Sequence, residues 1–195
     1  MARRLHSLAV AALVAGALLR PASAHADELP ARNQALLLLR VLAYDRNLPQ
    51  RASGAVTVAV VFRPGDRGSE ERRTALLAAF EEVAHDVVVA GLPVKVEAVP
   101  YRDAADFEGR LEASRPALAY VDPSLQKVVP EIVLATRRRG VLTADGSRGL
   151  VEAGLSVAVV AQSGRAGLVV NLKASRQEGA DLAAALLAVS DVIKD

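Results

Sequence analysis

Ser124 and Lys127 carry the residue types and the spacing of a nucleophilic site. They fit the S-x-x-K pattern in which a lysine lies beside a serine hydroxyl, as in serine β-lactamases. Such a serine needs a base and further partners, and the S-D-N and K-T-G triplets that would supply them do not follow in the sequence. We therefore expect Ser124 to cap a helix rather than to attack a substrate.

Asp122 stands directly after a predicted strand and before Pro123, which is the position of the phosphate-accepting aspartate in receiver domains. That chemistry also requires an acidic pair after the first strand to hold Mg²⁺, and Arg63-Pro64-Gly65 stand there instead. A secretion signal, described below, would also separate the chain from phosphate donors. Phosphoryl transfer is therefore not predicted.

Few residues of the chain could bind a metal ion. There is no cysteine, and two of the three histidines, His6 and His25, precede residue 27. The third, His85, lies near several carboxylates late in a predicted helix, which is typical of a solvated helix end and at most of a weak surface site. Zinc and copper sites use several histidine or cysteine ligands, so we predict no metal, no cofactor and no disulfide.

Six side chains follow the ends of predicted parallel strands and would meet at one rim of the sheet. Ligands of open α/β sheets bind outside the carboxyl ends of the strands, where helix N-termini also favour anions. The rim residues are Arg63, Asp66, Tyr101, Arg102, Asp122 and Asp145. Capping is the stronger interpretation of this region, because serine and aspartate commonly begin helices and turns. The expected caps and turn residues are Ser69, Asp103, Asp122 or Ser124, and Ser147.

Two further polar features have a structural interpretation. The run Arg137–Arg139 could hold an acidic partner, but cations in the last turn of a helix also complement its dipole, and Gly140 suits the position that follows. Asn171 lies between a predicted strand and a predicted helix, and we expect it to cap that helix.

Strand and helix patterns alternate along the chain after one initial helix. Apolar and β-branched runs predict strands at 56–62, 94–99, 117–121 and 141–143, and a hairpin at 155–161 and 167–170. Amphipathic runs predict helices at 29–50, 69–89, 103–114, 124–139, 173–178 and 181–194. Such alternation forms mostly parallel sheets that are covered on both faces. We predict a three-layer, Rossmann-like α/β fold with a C-terminal antiparallel hairpin at one edge and flanking helices.

The first predicted helix has more apolar area than one buried face requires. Its leucine run, together with two later residues, is the expected partner-binding surface, since large exposed apolar patches mark interaction sites. The residues of this surface are Leu36, Leu37, Leu38, Leu39, Tyr44 and Leu48. We expect a homodimer or a heteromer to form through it.

The first 26 residues have the features of a secretory signal peptide. Arg3 and Arg4 precede an apolar run at 8–19, which is too short to span a bilayer, and Ala24-His25-Ala26 forms an A-x-A cleavage site. Cleavage after Ala24 is a second option. We expect a single domain at 27–195 in the periplasm, with no further membrane span. The signal removes three arginines and no acid, so the remaining charge is nearly balanced and does not favour nucleic acid.

The segment GLSVAVVAQSGRAGLVVNLKASRQEGADLAAALLAVSDVI, residues 154–193, resembles the end of the YfiR/HmsC family of small periplasmic proteins. Family members have a glycine-led hairpin, a strand ending in Asn-Leu, a short helix with small residues and a leucine-rich helix. Here these features are Asn171-Leu172, Ala174 with Ser175, and Leu182, Leu186 and Leu187. The signal and the leucine-rich helix before VTVAVV are also similar, so the resemblance covers nearly the whole mature chain.

Two departures qualify what the resemblance implies. Asn47-Leu48-Pro49 stands where members often have Trp-Pro, and the cysteines that form disulfides in YfiR-type members are absent, which excludes redox control of that kind. The resemblance implies a non-catalytic periplasmic regulator that acts by protein–protein interaction, in the best-known case a repressor of an inner-membrane diguanylate cyclase. The alternative from a different class is a periplasmic small-molecule binding protein that serves a transporter or sensor.

Overall fold

A computed structural model describes residues 29–52, 54–162 and 164–194. The predicted signal peptide, with both candidate cleavage sites, lies outside the described residues. Within those residues, no helix is both long enough and apolar enough to cross a membrane.

The bounds of the elements follow the alternation that the sequence predicts. The strands are β1 (Val56–Phe62), β2 (Val94–Pro100), β3 (Leu118–Val121), β4 (Leu142–Asp145), β5 (Val157–Gln162), β6 (Arg165–Asn171) and β7 (Asp191–Ile193). The α-helices are α1 (Ala31–Ala43), α2 (Leu48–Arg51), α3 (Arg67–Asp86), α4 (Ala104–Ser114), α5 (Val129–Arg139), α6 (Arg148–Glu152), α7 (Leu172–Gln177) and α8 (Ala184–Leu187). A 3₁₀-helix, Pro123–Val128, precedes α5.

The strands form one sheet in the order β2-β1-β3-β4-β5-β6-β7. Strands β1 to β5 are parallel, β6 is antiparallel to β5, and β7 is parallel to β6. The predicted α/β fold with a mostly parallel sheet and a C-terminal hairpin is confirmed. The hairpin does not form the edge of the sheet, because β7 pairs along the outer side of β6.

The sequence of β1 explains why helices must cover both faces of the sheet. Val56, Val58 and Val60 belong to the core under α1 and α3, whereas Ala59 and Val61 belong to the core under α4 and α5. Such a strand is apolar at consecutive positions because neither of its faces reaches water. The result is a three-layer fold, in which helices cover both faces of the sheet and only the two ends of the strands are left uncovered.

The first helix is shorter than predicted. We expected one helix at 29–50, but α1 ends at Ala43 and a separate turn of helix, α2, begins at Leu48. Pro49 explains the break, because a proline inside a longer helix would lack its hydrogen bond and clash with the carbonyl of Asp45. At the start of α2 the same proline is tolerated.

The end of the chain differs most from the prediction. We expected a helix at 181–194, but α8 covers only Ala184–Leu187 and residues 191–193 form β7. The edge of β6 has unpaired backbone groups, and β7 satisfies them through the register Val170↔Val192. The alanine and leucine pattern of this segment therefore did not decide its conformation.

Two helix starts also differ from the predictions. Asp66 rather than Ser69 caps α3, and its carboxylate accepts the Ser69 N–H at 2.8 Å. Of the two alternatives Asp122 and Ser124, Asp122 is the cap, and it begins a 3₁₀-helix before α5, so the predicted single helix at 124–139 is two helical segments. The expected caps Asp103 and Asn171 are confirmed, since each accepts a backbone N–H from the first turn that follows it.

One buried ion pair, which we call the Arg51 clamp, joins distant parts of the chain at the amino ends of the strands. Arg51 pairs with Asp45, and its Nη1 donates to the carbonyls of Ala117 at 3.1 Å and Gly140 at 2.8 Å, which precede β3 and β4. The other Asp45 oxygen accepts the Asp181 N–H at 2.8 Å. The Arg51 side chain is 10% exposed and that of Asp45 is fully buried. The clamp therefore fixes the α1–α2 turn and the C-terminal segment to the sheet.

Arg51→Met should lower the free energy of unfolding by about 3 kcal/mol, because it leaves the buried Asp45 carboxylate without its cation. Arg46→Met is the matched control, since Arg46 pairs with Asp181 at 3.5 Å and both side chains are more than half exposed. The control should lose less than about 1 kcal/mol. Urea unfolding followed by circular dichroism measures both, and equal losses would contradict a structural role for the clamp.

Candidate functional site

The predicted rim residues lie at the carboxyl ends of the parallel strands. Two of them, Arg63 and Asp122, form hydrogen bonds that hold the loop after β3. Asp122 accepts two hydrogen bonds from Arg72 of α3, at 2.8 and 2.9 Å, and a third from the Ser124 N–H at 2.9 Å. Burial opposes ionisation of Asp122, but these bonds outweigh it and lower its pKa. Arg63 donates to the Ser124 carbonyl at 2.9 and 3.2 Å. Sequence reasoning missed Arg72, because its partner is fifty residues away along the chain.

Two further rim residues face other elements. Tyr101 donates its hydroxyl to Glu131 of α5 at 2.6 Å, and burial together with this bond raises the pKa of Tyr101. Arg102 is exposed and lies 3.9 Å from Asp106 of α4. These contacts hold the β2 end of the rim to α4 and α5.

Asp145, the last residue of β4, is completely buried. One carboxylate oxygen accepts the Ser147 N–H at 3.0 Å and its hydroxyl at 2.7 Å, while the other oxygen is buried and has no hydrogen bond with any described residue. Burial raises the pKa of Asp145 to about 6. A Cβ at Gly146 would lie 3.2 Å from Gln34 Oε1 and from the Tyr120 hydroxyl, so a larger residue there would require these side chains to shift by a few tenths of an ångström.

The residues considered for catalysis are not assembled into a reactive group. Within the described part of the chain, Ser124 Oγ is buried and has no hydrogen-bond partner, and Lys127 is exposed. His85 is exposed in the last turn of α3, as expected for a solvated helix end. Among the residues that the structure describes, no three histidine, cysteine, aspartate or glutamate side chains are close enough to hold a metal ion.

A cluster of polar groups that the sequence did not reveal surrounds Glu178, at the C-terminal end of α7. We call Glu178, Thr136, Thr143 and Ser156 the Glu178 cluster. The carboxylate accepts the Thr143 N–H at 2.8 Å and its hydroxyl at 2.9 Å, and it also accepts the Ser156 hydroxyl. Thr136 Oγ1 lies 3.1 Å from the same group. The cluster links α5, α7, β4 and the start of β5.

Glu178 is fully buried, and the residues that donate to its carboxylate, Thr136, Thr143 and Ser156, are all uncharged. Burial raises the pKa of Glu178 to about 7, although the bonds from Ser156 and Thr143 oppose the shift. Since a buried carboxylate without a cation is unfavourable, the acid holds its proton well above the usual range. This makes the cluster sensitive to pH near neutrality.

The expected partner-binding surface lies largely in the core. Leu38, Leu39 and Leu48 have no exposed surface, which removes them from any surface that the folded domain presents. Leu36 and Leu37 are half-buried against the same core, and Tyr44 is 46% exposed. The long apolar run has a structural cause, because α1 packs on α3 and β5 and shares one core with Leu182 and Leu186 of the C-terminal segment.

Comparison with known proteins identifies a family and a fold. The sequence model of the YfiR/HmsC-like family matches residues 33–191. No curated protein sequence is significantly similar to the chain.

Several solved structures have a similar fold at low sequence identity. One, the ABC domain in complex with L-Trp from Streptococcus pneumonia, is 17% identical with a TM-score of 0.57, over 84% of this chain and 60% of that one. A conserved domain protein from Vibrio cholerae is 15% identical with a TM-score of 0.57, over 85% and 60%. A ligand-free, open substrate-binding protein with adhesive properties from Clostridium difficile is 14% identical with a TM-score of 0.52, over 76% and 57%. The chain thus spans about three fifths of the length of these proteins, and the likeness shows the fold alone.

The free energy of unfolding should fall as pH rises from about 5 to about 8. Below its unfolded pKa of 4.5 Glu178 is protonated in both states, and between 4.5 and about 7 only the folded state keeps the proton. Stability is therefore lost as pH rises through the folded pKa, by about 3 kcal/mol for this group. Asp145 adds a smaller change in the same direction.

Glu178→Gln should remove most of this pH dependence, because the amide does not ionise. Glu81→Gln, at an exposed position of α3, is the control and should keep the full slope. Urea unfolding at several pH values measures both variants. An unchanged slope in Glu178→Gln would show that the cluster does not hold the proton.

Proposed function

We propose, since the chain belongs to the YfiR/HmsC-like family, that it is a periplasmic regulator that acts by contact with an inner-membrane signalling protein, such as a diguanylate cyclase. The observation that carries this proposal is the extent of the family match, which runs from α1 to β7 and so covers almost all of the described fold. The signal peptide predicted from residues 1–26 supports export to that compartment.

The arrangement of polar groups at the carboxyl edge supports a non-catalytic function. Acid–base and nucleophilic catalysis require a group that is held within reach of substrate and has a matched pKa. Here Asp122 is paired with Arg72, Tyr101 with Glu131, and Asp145 with the Ser147 turn. Each of these bonds joins a strand end to a helix or turn, so their contribution to the fold is sufficient to explain them.

The exposed part of the first helix is the proposed contact surface. Tyr44 exposes nearly half of its surface beside Ala183, whose N–H donates to the Tyr44 carbonyl at 2.9 Å. Tyrosine is favoured at protein interfaces because it offers a large rigid apolar area and a hydroxyl. Leu36 and Leu37 add partly exposed apolar area on the same helix. We propose that this surface mediates both homodimer formation and binding of the envelope partner.

A second candidate function is the binding of a small molecule for a transporter or sensor. It is favoured by the fold, because one of the similar structures is a substrate-binding protein and another was solved with L-Trp. Ligand sites occur preferentially between domains, and this chain spans about three fifths of those proteins. A metabolite screen by thermal shift separates the two functions, since tight ligand binding raises the melting temperature.

Tyr44→Asp should reduce capture of the envelope partner at least about tenfold, because truncating a central tyrosine of an interface and burying a carboxylate in its place are both unfavourable. Leu134→Asp is the matched control, since Leu134 is 53% exposed on α5, in the opposite helix layer. The measurement is chemical cross-linking in intact cells followed by affinity purification and quantitative mass spectrometry.

The control should retain capture within about twofold of the wild-type protein. Equal capture by both variants would remove α1 from the contact surface. If the wild-type protein enriches no inner-membrane signalling protein, regulation by contact is contradicted.

A further inference from the structure

Two adjoining cavities open at the amino ends of the strands, on the edge of the sheet opposite the rim. The first, of about 640 Å³, lies between the end of α2, the start of β1 and the end of α4. The second, of about 410 Å³, lies between α2, the end of α4 and the end of α5. They share Gln50, Arg51 and Arg115 and so form one continuous depression, which we call the basic cleft.

The described residues that line the basic cleft are strongly cationic. The first cavity has Arg51, Lys95 and Arg115 and no acidic residue. The second has Arg51 and Arg115 with two arginines from the end of α5, and its acidic residue is Glu112. The cleft thus has cations along its whole length, which creates a positive potential over a concave surface.

These cations differ in how far they are already neutralised. Arg51 is paired with Asp45, and Arg138 lies 3.4 Å from Glu108. Arg139 lies 3.5 Å from Glu108 and 3.1 Å from Glu112, the acidic residue of the second cavity. Lys95 and Arg115 are exposed and make no ion pair or side-chain hydrogen bond with any residue that the structure describes. The cleft is therefore lined by two cations, Lys95 and Arg115, whose charge no described residue neutralises.

The backbone at Arg115 adds an independent indication. Arg115 ends α4 in the left-handed conformation with φ of 45°, and its N–H bonds the Leu111 carbonyl at 2.9 Å. Glycine normally occupies this position, because a side chain there is strained. Gly140 occupies the equivalent position after α5, with φ of 64°. The strained backbone at Arg115 motivates a functional hypothesis for its side chain.

We propose that the basic cleft binds an acidic segment of the partner protein, with carboxylates spaced along an extended chain. The inference rests on the proposed function and names the chemistry of the contact. A single small anion would need only one of the two cavities, whereas an extended segment places carboxylates near Lys95 and Arg115 in one and near Arg138 and Arg139 in the other. Arginine binds carboxylates with two parallel hydrogen bonds, which fixes the register of such a segment.

The test uses a fluorescein-labelled hexaglutamate peptide, with hexaglutamine as the neutral probe, and the protein purified after expression of the full sequence. Fluorescence anisotropy at low salt measures binding to the wild-type protein and to two double variants. Lys95→Glu/Arg115→Glu reverses the two unpaired cations of the cleft. Arg67→Glu/Lys127→Glu is the matched control, since it changes the net charge equally at exposed positions after β1 and β3, at the opposite edge of the sheet.

We expect the cleft variant to bind hexaglutamate about tenfold more weakly than the wild-type protein and the control to stay within about twofold. Arg115→Gly separates binding from folding, because glycine suits the left-handed backbone. It should weaken peptide binding without lowering the melting temperature. If both double variants bind hexaglutamate equally weakly, the loss of affinity is due to net charge alone and the proposal is overturned. The absence of peptide binding to the wild-type protein would also overturn it.

Inorganic pyrophosphate tests the small-anion alternative. Displacement of hexaglutamate by pyrophosphate at concentrations where the same ionic strength of NaCl has no effect would assign the cleft to a small anion and overturn the proposal. Partner capture in cells separates this proposal from the proposed function. Equal capture by wild-type protein and the cleft variant contradicts the cleft alone, whereas no capture by the wild-type protein contradicts the proposed function.

Discussion

The buried ion pair between Arg51 and Asp45 is the interaction that organises the side of the sheet where the parallel strands begin. Parallel strands have unpaired carbonyls and N–H groups where they begin. Here the guanidinium of Arg51 donates hydrogen bonds to the carbonyls that precede β3 and β4. Asp45 neutralises that guanidinium and also holds the C-terminal segment through Asp181. Pro49 causes the break after α1, and this pair then fixes the α1–α2 turn and the last segment to the sheet.

The two edges of the sheet have different chemistry as a result. At the carboxyl edge, Arg72, Ser147 and Glu131 bind the side chains that sequence analysis selected as a ligand rim, and Gln34 and Tyr120 pack against the Gly146 turn. At the amino edge, the same clamp that organises the strands also forms the floor of the basic cleft, where Lys95 and Arg115 remain unpaired within the described fold. The charged and aromatic groups Asp122, Tyr101 and Asp145 at the carboxyl ends thus bind neighbouring elements of the fold, whereas two cations at the amino ends have no such partner among the described residues. The Glu178 cluster joins α5 and α7 to β4 and β5, and its pKa of about 7 makes the stability of this packing depend on pH near neutrality.

Sequence patterns were sufficient to predict an element wherever the periodicity of its buried residues determined its conformation. The apolar run of β1, the hairpin β5–β6 and the caps Asp103 and Asn171 follow from local rules, and the family resemblance agrees with the match over 33–191. Pro49 could have ended the first helix in the prediction, since proline is excluded from helix interiors. The leucine run of that helix was interpreted as a surface because the sequence does not show that α3 and the C-terminal segment cover it. The Glu178 cluster and the Arg72–Asp122 pair join residues 22 to 50 positions apart, and such long-range contacts leave no periodic signal.

Site-specific photo-cross-linking in living cells tests the central claim most directly, because it reports which edge of the sheet a partner contacts. A photoreactive amino acid is placed at position 115, in the basic cleft, or at position 102, at the exposed rim of the opposite edge. Binding of the partner in the basic cleft predicts a discrete cross-linked adduct with an inner-membrane protein from position 115 and none from position 102. An adduct from position 102 alone, or no adduct from either position, would contradict it.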